Sequence, residues 1–393
     1  MNINFLVYTA LFFQGVFGLN ADMLFALNGG ETFEYESTGD EGIYDDIYES
    51  LGIDEIEENL ASTDVGQNID FSQIVHDISE GDFNNVFKTF KESAGNILTG
   101  ELSSNRKLMF QLIIVVLLGS IFVQISGTFG NGFIGENGFY VTYLVITSLL
   151  LTSFSIALDV VSGAIEKILI TIRIIVPVYA VAMNFVGHGS VSMGMYNLIM
   201  VGVWVVQAVI LRFVLPMVKF YVILSFVNNL NKDSNFSKLC QLIKNAVSWL
   251  LKTIVVFVVG LNIIKSLIDP QIDALGRNSV NRIISAFPGG GMMSVLTGTF
   301  LGAGMIIKNS IGIAGIIILG LIVLFPIIKT FLIMLTVKIV AAMVQPVAEK
   351  RYINGIETLS QGVALLLQAL GSSVVLFVLT IAIMAFASNG AGG

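Results

Sequence analysis

Residues 213–267 read FVLPMVKFYVILSFVNNLNKDSNFSKLCQLIKNAVSWLLKTIVVFVVGLNIIKSL, an apolar segment, a polar loop, an amphipathic run and a second apolar segment. Residues 324–384 repeat this order as LFPIIKTFLIMLTVKIVAAMVQPVAEKRYINGIETLSQGVALLLQALGSSVVLFVLTIAIM. Both stretches contain a Pro-x-x-Lys motif, and the two motifs, 110 residues apart, are Pro216 with Lys219 and Pro326 with Lys329. Matched prolines and lysines in the same order indicate an internal duplication in a membrane protein.

After each polar loop, apolar residues recur at spacings of three and four, which predicts an amphipathic helix with one buried face. The first such stripe comprises Phe236, Leu239, Ile243, Val247 and Leu250, and the second comprises Ile356, Leu359, Val363, Leu366 and Leu370.

The composition of the whole chain is that of a membrane protein. Apolar residues make up 55% of the sequence and charged residues 12%, whereas about a quarter of a soluble domain is charged. Mean hydropathy is +0.84. Together with the lengths of the apolar segments, this predicts an all-α polytopic membrane protein with about 8–10 transmembrane helices.

Residues 106–160 are expected to hold the first two transmembrane helices, at 108–125 and 139–158. Membrane repeat 1 is assigned to residues 161–268 and membrane repeat 2 to residues 272–388, each with four hydrophobic pieces. These pieces are 168–186, 195–212, 213–229 and 246–267 in the first repeat, and 283–306, 309–325, 327–345 and 364–387 in the second.

The first piece of each repeat contains a proline among glycines and polar residues, Pro177 in one and Pro288 in the other. Such a segment either crosses the membrane or forms a broken, re-entrant helix that is shielded by protein or water. If the Pro177 and Pro288 segments cross the membrane fully, the two repeats are parallel. If these segments enter the membrane only partly, the repeats are inverted. Four glycines of the second repeat are expected to permit close helix packing rather than to form a selectivity filter, namely Gly302, Gly304, Gly312 and Gly315.

The N-terminal region is acidic and precedes the apolar region. Residues 1–21 have the apolar core of a signal peptide or of a short N-terminal anchor. Residues 22–105 form an acidic extracytoplasmic region that is partly disordered, and residues 71–97 are predicted to form an amphipathic helix within it. That helix is either a packing or membrane-surface element or a docking helix for an extracytoplasmic partner.

Charge is divided unequally along the chain. Residues 1–105 contain 20 acidic residues against two basic ones, whereas residues 106–393 contain 18 basic residues against eight acidic ones. The acidic region excludes nucleic acid as a partner, and the basic, apolar remainder is suited to a lipid bilayer. The basic residues of the two polar loops, Lys232, Lys238, Lys244, Lys350 and Arg351, predict that both loops are cytoplasmic.

No enzyme motif is present in the sequence. The glycines at 289–291 are followed by Met-Met-Ser instead of the Lys-Ser/Thr ending of a phosphate-binding loop. Cys240 is the only cysteine, and the two histidines lie far apart. The sequence therefore predicts no catalytic residue, no metal site and no cofactor.

Ionisable residues within apolar segments are the remaining candidates for function, because a charge in lipid is costly. Lys219 and Lys329 either extend to the head groups or line a pathway between the halves. Arg173 is expected to need a partner, for which Glu166 is the candidate.

Four segments carry a resemblance to a known family. They are LSFVNNLNKDSNFSKLCQLIKNAVSWLL at 224–251, KNSIGIAGIIIL at 308–319, FPIIKTFLIMLTVKIVAAMVQPV at 325–347 and ETLSQGVALLLQAL at 357–370. Over residues 100–388 the chain resembles the stage III sporulation protein AE family of endospore-forming bacteria. The absence of basic residues before the signal-like core and the acidic insert at 30–68 depart from that family's pattern.

The resemblance implies a non-enzymatic subunit of a complex in the mother-cell membrane that faces the forespore. This complex is joined to a forespore membrane protein and is regarded as a channel or secretion-like conduit. Its other implied partners are further membrane subunits and a separate ATPase of the stage III complex. The duplication by itself favours a different hypothesis, a stand-alone secondary transporter or permease with a substrate site between the repeats.

Overall fold

The computed structural model describes residues 74–75, 106–126, 132–185, 201–231, 235–257, 260 and 290–389. These residues form an all-helical architecture and belong to one unit, Gly52–Gly393. The long helices of the described part are α1 Arg106–Ser126, α2 Gly132–Phe185, α3 Val201–Leu230, α4 Ser237–Phe257, α5 Gly290–Val344 and α6 Lys350–Asn389.

Within this part of the chain, all six helices contain a stretch that is long and apolar enough to cross a membrane. The protein is therefore a multi-pass membrane protein, as its composition predicts. The predicted segments at 1–21 and 30–68 and Pro288 lie outside the described residues. Of the predicted amphipathic helix 71–97, residues 74 and 75 are described, and both are helical.

The described part contains fewer and longer helices than the predicted 8–10 pieces. The pieces at 139–158 and 168–186 are one helix, α2, which has 54 residues and includes Pro177. The two pieces were separated at a polar stretch that starts with Asp159, but an exposed charge does not end a helix. The boundary expected at residues 160 and 161 thus lies within a continuous helix.

The two Pro-x-x-Lys motifs do not begin separate helices either. Pro326 lies inside α5, which is continuous from Gly290 to Val344. In α3, the π-helical segment Ile210–Val214 directly precedes the turn that contains Pro216, and the Leu215 N–H donates to the Ile210 carbonyl. A proline has no N–H and its ring crowds the carbonyl four residues earlier, so a local widening lets the helix continue.

Both polar loops lie at the same end of the bundle, which we call the loop end. Gln124, near the end of α1, donates to the Val347 carbonyl of the α5–α6 loop at 3.1 Å. Asn229, at the end of α3, donates to Thr358 in the third turn of α6 at 2.9 Å. The common side that was predicted for the two loops agrees with this arrangement.

Helix α6 occupies the centre of the bundle and packs against α2, α3 and α5. The stripe predicted for it is confirmed, because all five of its residues, from Ile356 to Leu370, are fully buried. The stripe predicted for α4 is partly wrong, since Phe236 and Leu239 are exposed. The buried face of α4 is instead made by Cys240, Ile243, Val247, Leu251 and Ile254, which also follow a helical period.

Close helix contacts occur at glycines. A Cβ atom at Gly312 would lie 3.1 Å from the Tyr179 ring, and one at Gly315 would lie 3.1 Å from Ile175. The packing role that was expected for these two glycines is therefore confirmed. A Cβ atom at Gly362 would collide with Val222. At these points a hydrogen in place of a side chain lets α2, α3, α5 and α6 approach closely.

Candidate functional site

A layer of polar side chains joins the helices near the loop end, and Gln361 of α6, which is exposed, bonds to two of the other helices. The Gln361 Oε1 atom accepts hydrogen bonds from the Tyr221 hydroxyl of α3 at 2.8 Å and from the Lys244 ammonium of α4 at 3.0 Å. One amide oxygen thus joins three helices. We call this set of side chains, together with Tyr143, Asn229 and Thr358, the loop-end polar layer.

The other members of the layer hold the ends of α2 and α3. The Tyr143 hydroxyl of α2 donates to the Phe226 carbonyl of α3 at 2.9 Å, and both residues are buried. The Thr358 hydroxyl accepts from Asn229 and donates to the carbonyl of Asn354 at 2.9 Å. Since buried polar groups are costly without partners, these bonds fix the relative position of the helices.

A second cluster lies at the start of α6 and is centred on Arg351. Its guanidinium donates to Glu349 at 2.6 Å and to Glu136 of α2 at 3.2 Å. The Arg351 Cζ atom also lies 3.5 Å from the centroid of the Phe139 ring, a cation–π contact. The centroids of the Phe139 and Tyr352 rings lie 4.9 Å apart, so the Arg351 guanidinium lies over one of two adjacent aromatic rings.

A cleft of about 300 Å³ opens between the last turns of α5 and the first turns of α6. Its polar lining consists of Lys338, Gln345, Glu357, Ser360 and Gln361, and its apolar lining of Val337, Ala341, Ala342 and Ile353. Because Gln361 also belongs to the loop-end polar layer, the cleft adjoins the bonds that join α3 and α4 to α6. The polar groups of the cleft are one base, one acid, two amides and one hydroxyl.

The structure places the two motif lysines in different environments. Lys219 is exposed on α3, whereas Lys329 is partly buried on α5 with its ammonium 5.2 Å from the centroid of the Phe325 ring. Neither lysine lines the cleft. A pathway role for the pair stays a prediction, and their matched sequence positions do not give them matched surroundings.

Arg173 and Glu166 are both exposed on α2. They are seven residues apart, which is about 10 Å along a helix axis, so the structure does not bring them together as a pair. Pro177 is partly buried inside the same helix, and the helix continues past it to Phe185.

Sequence reasoning missed most of the loop-end polar layer. Tyr143 and Tyr221 stand in strongly apolar segments, where each reads as an isolated polar residue. The sequence predicts a cytoplasmic loop at Arg351 but gives no indication of its cluster with Glu136 and Phe139. The available signal was the polar character of Thr358 and Gln361 beside the predicted apolar stripe of α6, since polar residues beside a buried face need partners.

Comparison with known proteins identifies relatives of the chain. The sequence model of the family described as Stage III sporulation protein AE matches residues 69–388, a range that includes nearly all of the described helices. The protein named Stage III sporulation protein AE from Bacillus subtilis (strain 168) is 23% identical over 292 residues. The alignment covers 74% of this chain and 73% of that relative. No solved structure matches the chain.

Proposed function

The chain belongs to the stage III sporulation protein AE family, and on this premise we propose that it is a non-enzymatic membrane subunit of a sporulation complex. The family name assigns its members to sporulation. The proposed location is the mother-cell membrane that faces the forespore. The proposed partners are other membrane subunits and a separate ATPase of the stage III complex, together with a forespore membrane protein, and the proposed assembly is a channel or secretion-like conduit.

The observation that carries this proposal is the extent of the family match. It runs from residue 69 to residue 388 and takes in the loop-end polar layer, the Arg351 cluster and the cleft. The sequence similarity therefore extends over the whole described bundle and is not limited to one apolar segment. Apolar segments resemble one another by composition, so the extent of the match is what makes it informative.

The packing supports a fixed subunit over the alternative of a stand-alone transporter. An alternating-access transporter needs two halves that move against each other around a site between them. Here Gln361, in the proposed second repeat, bonds to Tyr221 and Lys244 in the proposed first repeat. The cleft lies between α5 and α6, both of which belong mainly to the second repeat. Movement of one half against the other would break these bonds.

An internal duplication remains part of the proposal. Each proposed repeat contains a long helix with an internal proline, a short loop at the loop end and a following helix. The proline helices are α3 and α5, and the helices that follow are α4 and α6. This common order of elements supports a duplicated unit in which α6 has become the buried central copy and α4 the peripheral one.

Purification of the tagged chain from sporulating cells tests the proposed function. We expect other membrane subunits and an ATPase to co-purify with it, and a deletion strain to form spores again when the native gene is returned. A chain that is isolated alone and drives uptake of a labelled amino-acid mixture into liposomes would establish the transporter instead. Gly362→Val, which adds a side chain where a Cβ atom would collide with Val222, provides a control for loss of the fold.

A further inference from the structure

Helices α2 and α5 are too long to lie wholly within a bilayer. At 1.5 Å per residue, the 54 residues of α2 and the 55 residues of α5 each extend about 80 Å. The hydrocarbon core of a bilayer is about 30 Å thick. A tilt of about 40°, at the upper end of the range for membrane helices, still leaves about 60 Å along the membrane normal. At least about half of each helix must therefore lie outside the hydrocarbon core.

Helix α1 shows which half of α2 lies in the bilayer. The 21 residues of α1 extend about 31 Å, which is one hydrocarbon thickness. Helices α1 and α2 pack closely as an antiparallel pair, since a Cβ atom at Gly119 would collide with Thr142 and one at Gly138 would collide with Phe122. When this register is continued, the start of α1 is level with about residue 155 of α2. The half of α2 that lies beside α1 thus runs from the loop end to this level.

The charges of α2 mark the same boundary. Residues 137–158 contain no Asp, Glu, Lys or Arg, and these 22 residues extend about 33 Å. Glu136 precedes this stretch at the loop end, and Asp159 follows it. Beyond the stretch, Asp159, Glu166 and Arg173 are all exposed. Because an exposed charge is costly in lipid and not in water, α2 leaves the hydrocarbon core near Asp159.

The exposed side chains of α5 change at the same level. The contact between Gly315 of α5 and Ile175 of α2 sets the register of these antiparallel helices, and the start of α1 is then level with about residue 335 of α5. From that level to the loop end, large apolar side chains are exposed at intervals of four residues, namely Leu335, Ile339 and Met343. Over the 25 described residues before that level, the exposed large apolar side chains are Ile313 and Phe331. The lipid-facing belt of α5 therefore ends near the level at which α1 starts.

Helices α2, α5 and α6 stay packed together beyond that level. A Cβ atom at Gly312 of α5 would lie 3.1 Å from Tyr179 of α2 and 3.6 Å from Ile381 of α6. Tyr179 and Ile381 are both buried. Tyr179 lies about 24 residues past the level of the start of α1, or about 36 Å along the helix. The three helices thus continue as one packed unit well past the end of α1.

We infer that α2, α5 and α6 leave the bilayer on the side opposite the loop end and continue there as a three-helix stem in the aqueous phase. The part of α2 in this stem extends about 45 Å from the membrane, along the side from which the chain enters α1. Water, and not lipid, surrounds the charges of Asp159, Glu166 and Arg173. This inference does not rest on the sporulation role, because its observations are the lengths, registers and exposed residues of the helices.

Single-cysteine labelling of the full-length chain in the membranes of a non-sporulating host tests the stem. The background variant is Cys240→Ser, which removes the single native cysteine. Ile170→Cys and Val145→Cys form a matched pair, because both positions are aliphatic residues of α2 with similar exposure, 43% and 46%. Ile170 lies about 22 Å past the start of α1, whereas Val145 lies about 15 Å within the bilayer from that level. Maleimide reacts with the thiolate, which forms in water, so labelling reports water at each position.

We expect Ile170→Cys to react with a membrane-impermeant maleimide at least tenfold faster than Val145→Cys. This reaction should occur when the reagent is added on the side opposite the loop end. Both cysteines should react fully after denaturation in dodecyl sulfate, which shows that both thiols are free. Equal rates at the two positions in the membrane would overturn the proposal. Protection of both positions, or reaction of Ile170→Cys from the loop side, would overturn it as well.

Added charges give a second test that needs no reactive thiol. Ile170→Asp adds an acid in the stem, where water solvates it, so the amount of folded chain in the membrane should stay within twofold of the native level. Val145→Asp adds the same acid in the hydrocarbon core and should lower that amount at least fivefold. Size-exclusion chromatography of the solubilised chains measures the folded amount. Equal losses in the two variants would place residue 170 in lipid and contradict the stem.

Discussion

Arg351 at the start of α6 and Glu136 near the start of α2 form an ion pair, with Nη1 and Oε1 3.2 Å apart. The side chains retain 15% and 24% of their exposure, so water reaches the pair at the edge of the bundle. The two residues are 215 positions apart in the sequence. Because Arg351 also stacks on Phe139, this contact secures the central helix to α2 at the loop end.

Replacement of Arg351 by Leu is expected to lower the thermal midpoint of the detergent-solubilised protein. The substitution removes the cation–π contact and leaves Glu136 and Glu349 without their shared cation, a loss of about 1–3 kcal/mol. The matched control is Lys350→Leu, at an exposed neighbouring position. Equal midpoints for the two variants would contradict a stabilising role for the cluster.

Substitutions of Gln361 should separate the effect of its acceptor oxygen from that of its shape. Gln361→Leu removes an acceptor of the buried Tyr221 hydroxyl and of the Lys244 ammonium, and because position 361 is exposed to solvent it should destabilise the fold by about 0.5–1.5 kcal/mol. Gln361→Glu keeps an acceptor oxygen and adds an opposite charge beside Lys244, so it should retain stability. Thermal unfolding, monitored by tryptophan fluorescence, measures the stability of both variants. A Glu variant as unstable as the Leu variant would refute the bonds from Tyr221 and Lys244 to position 361.

Gly362 is expected to tolerate no larger side chain. A Cβ at this position would collide with Val222 and lie 3.3 Å from the Phe154 ring, so Gly362→Val should cost about 1–3 kcal/mol through overpacking. Gly163→Val on α2 is the matched control, because a Cβ there meets nothing within 4 Å. The yield of folded protein after size-exclusion chromatography compares them. The additional substitution Val222→Ala should recover part of the yield lost in Gly362→Val.

Labelling of single cysteines should show both polar loops on one side of the membrane. In the Cys240→Ser background, Lys238→Cys and Lys350→Cys should react alike with a membrane-impermeant maleimide, because both mark the loop end. Arg106→Cys, at the other end of α1, should react from the opposite side. All three native residues are exposed, so differences in labelling report sidedness. Reaction of Lys238→Cys and Lys350→Cys from opposite sides would contradict the common loop end.

The motif lysines are expected to differ in their effects on sporulation. Lys329→Gln removes the contact with the Phe325 ring in the partly buried wall of α5, so spore yield should fall more than with Lys219→Gln. The double variant tests whether both line a pathway. Normal spore yield of the double variant at normal protein level would favour extension of the lysines to the head groups.

Sequence and structure agree best where a property is summed along the chain. Membrane class, the position of α1 and the buried stripe of α6 follow from hydropathy and helical period, which are local quantities. The predicted stripe of α4 differs from its observed buried face because Phe236 and Cys240 are both apolar, so the sequence pattern does not distinguish them. Only packing against a particular neighbour decided that Cys240 is buried and Phe236 exposed.

The two Pro-x-x-Lys motifs also show which properties follow from the sequence and which depend on packing. The sequence alone predicted two similar units of apolar helix, loop and amphipathic helix in a membrane protein. The tertiary structure decided that Pro216 and Pro326 lie within continuous helices and that one unit supplies the central helix. It also decided that Gln361 accepts bonds from both Tyr221 and Lys244. The physical reason is that hydropathy belongs to a residue and its neighbours in sequence, whereas a hydrogen-bond partner is chosen by the packing of helices that are far apart in the chain.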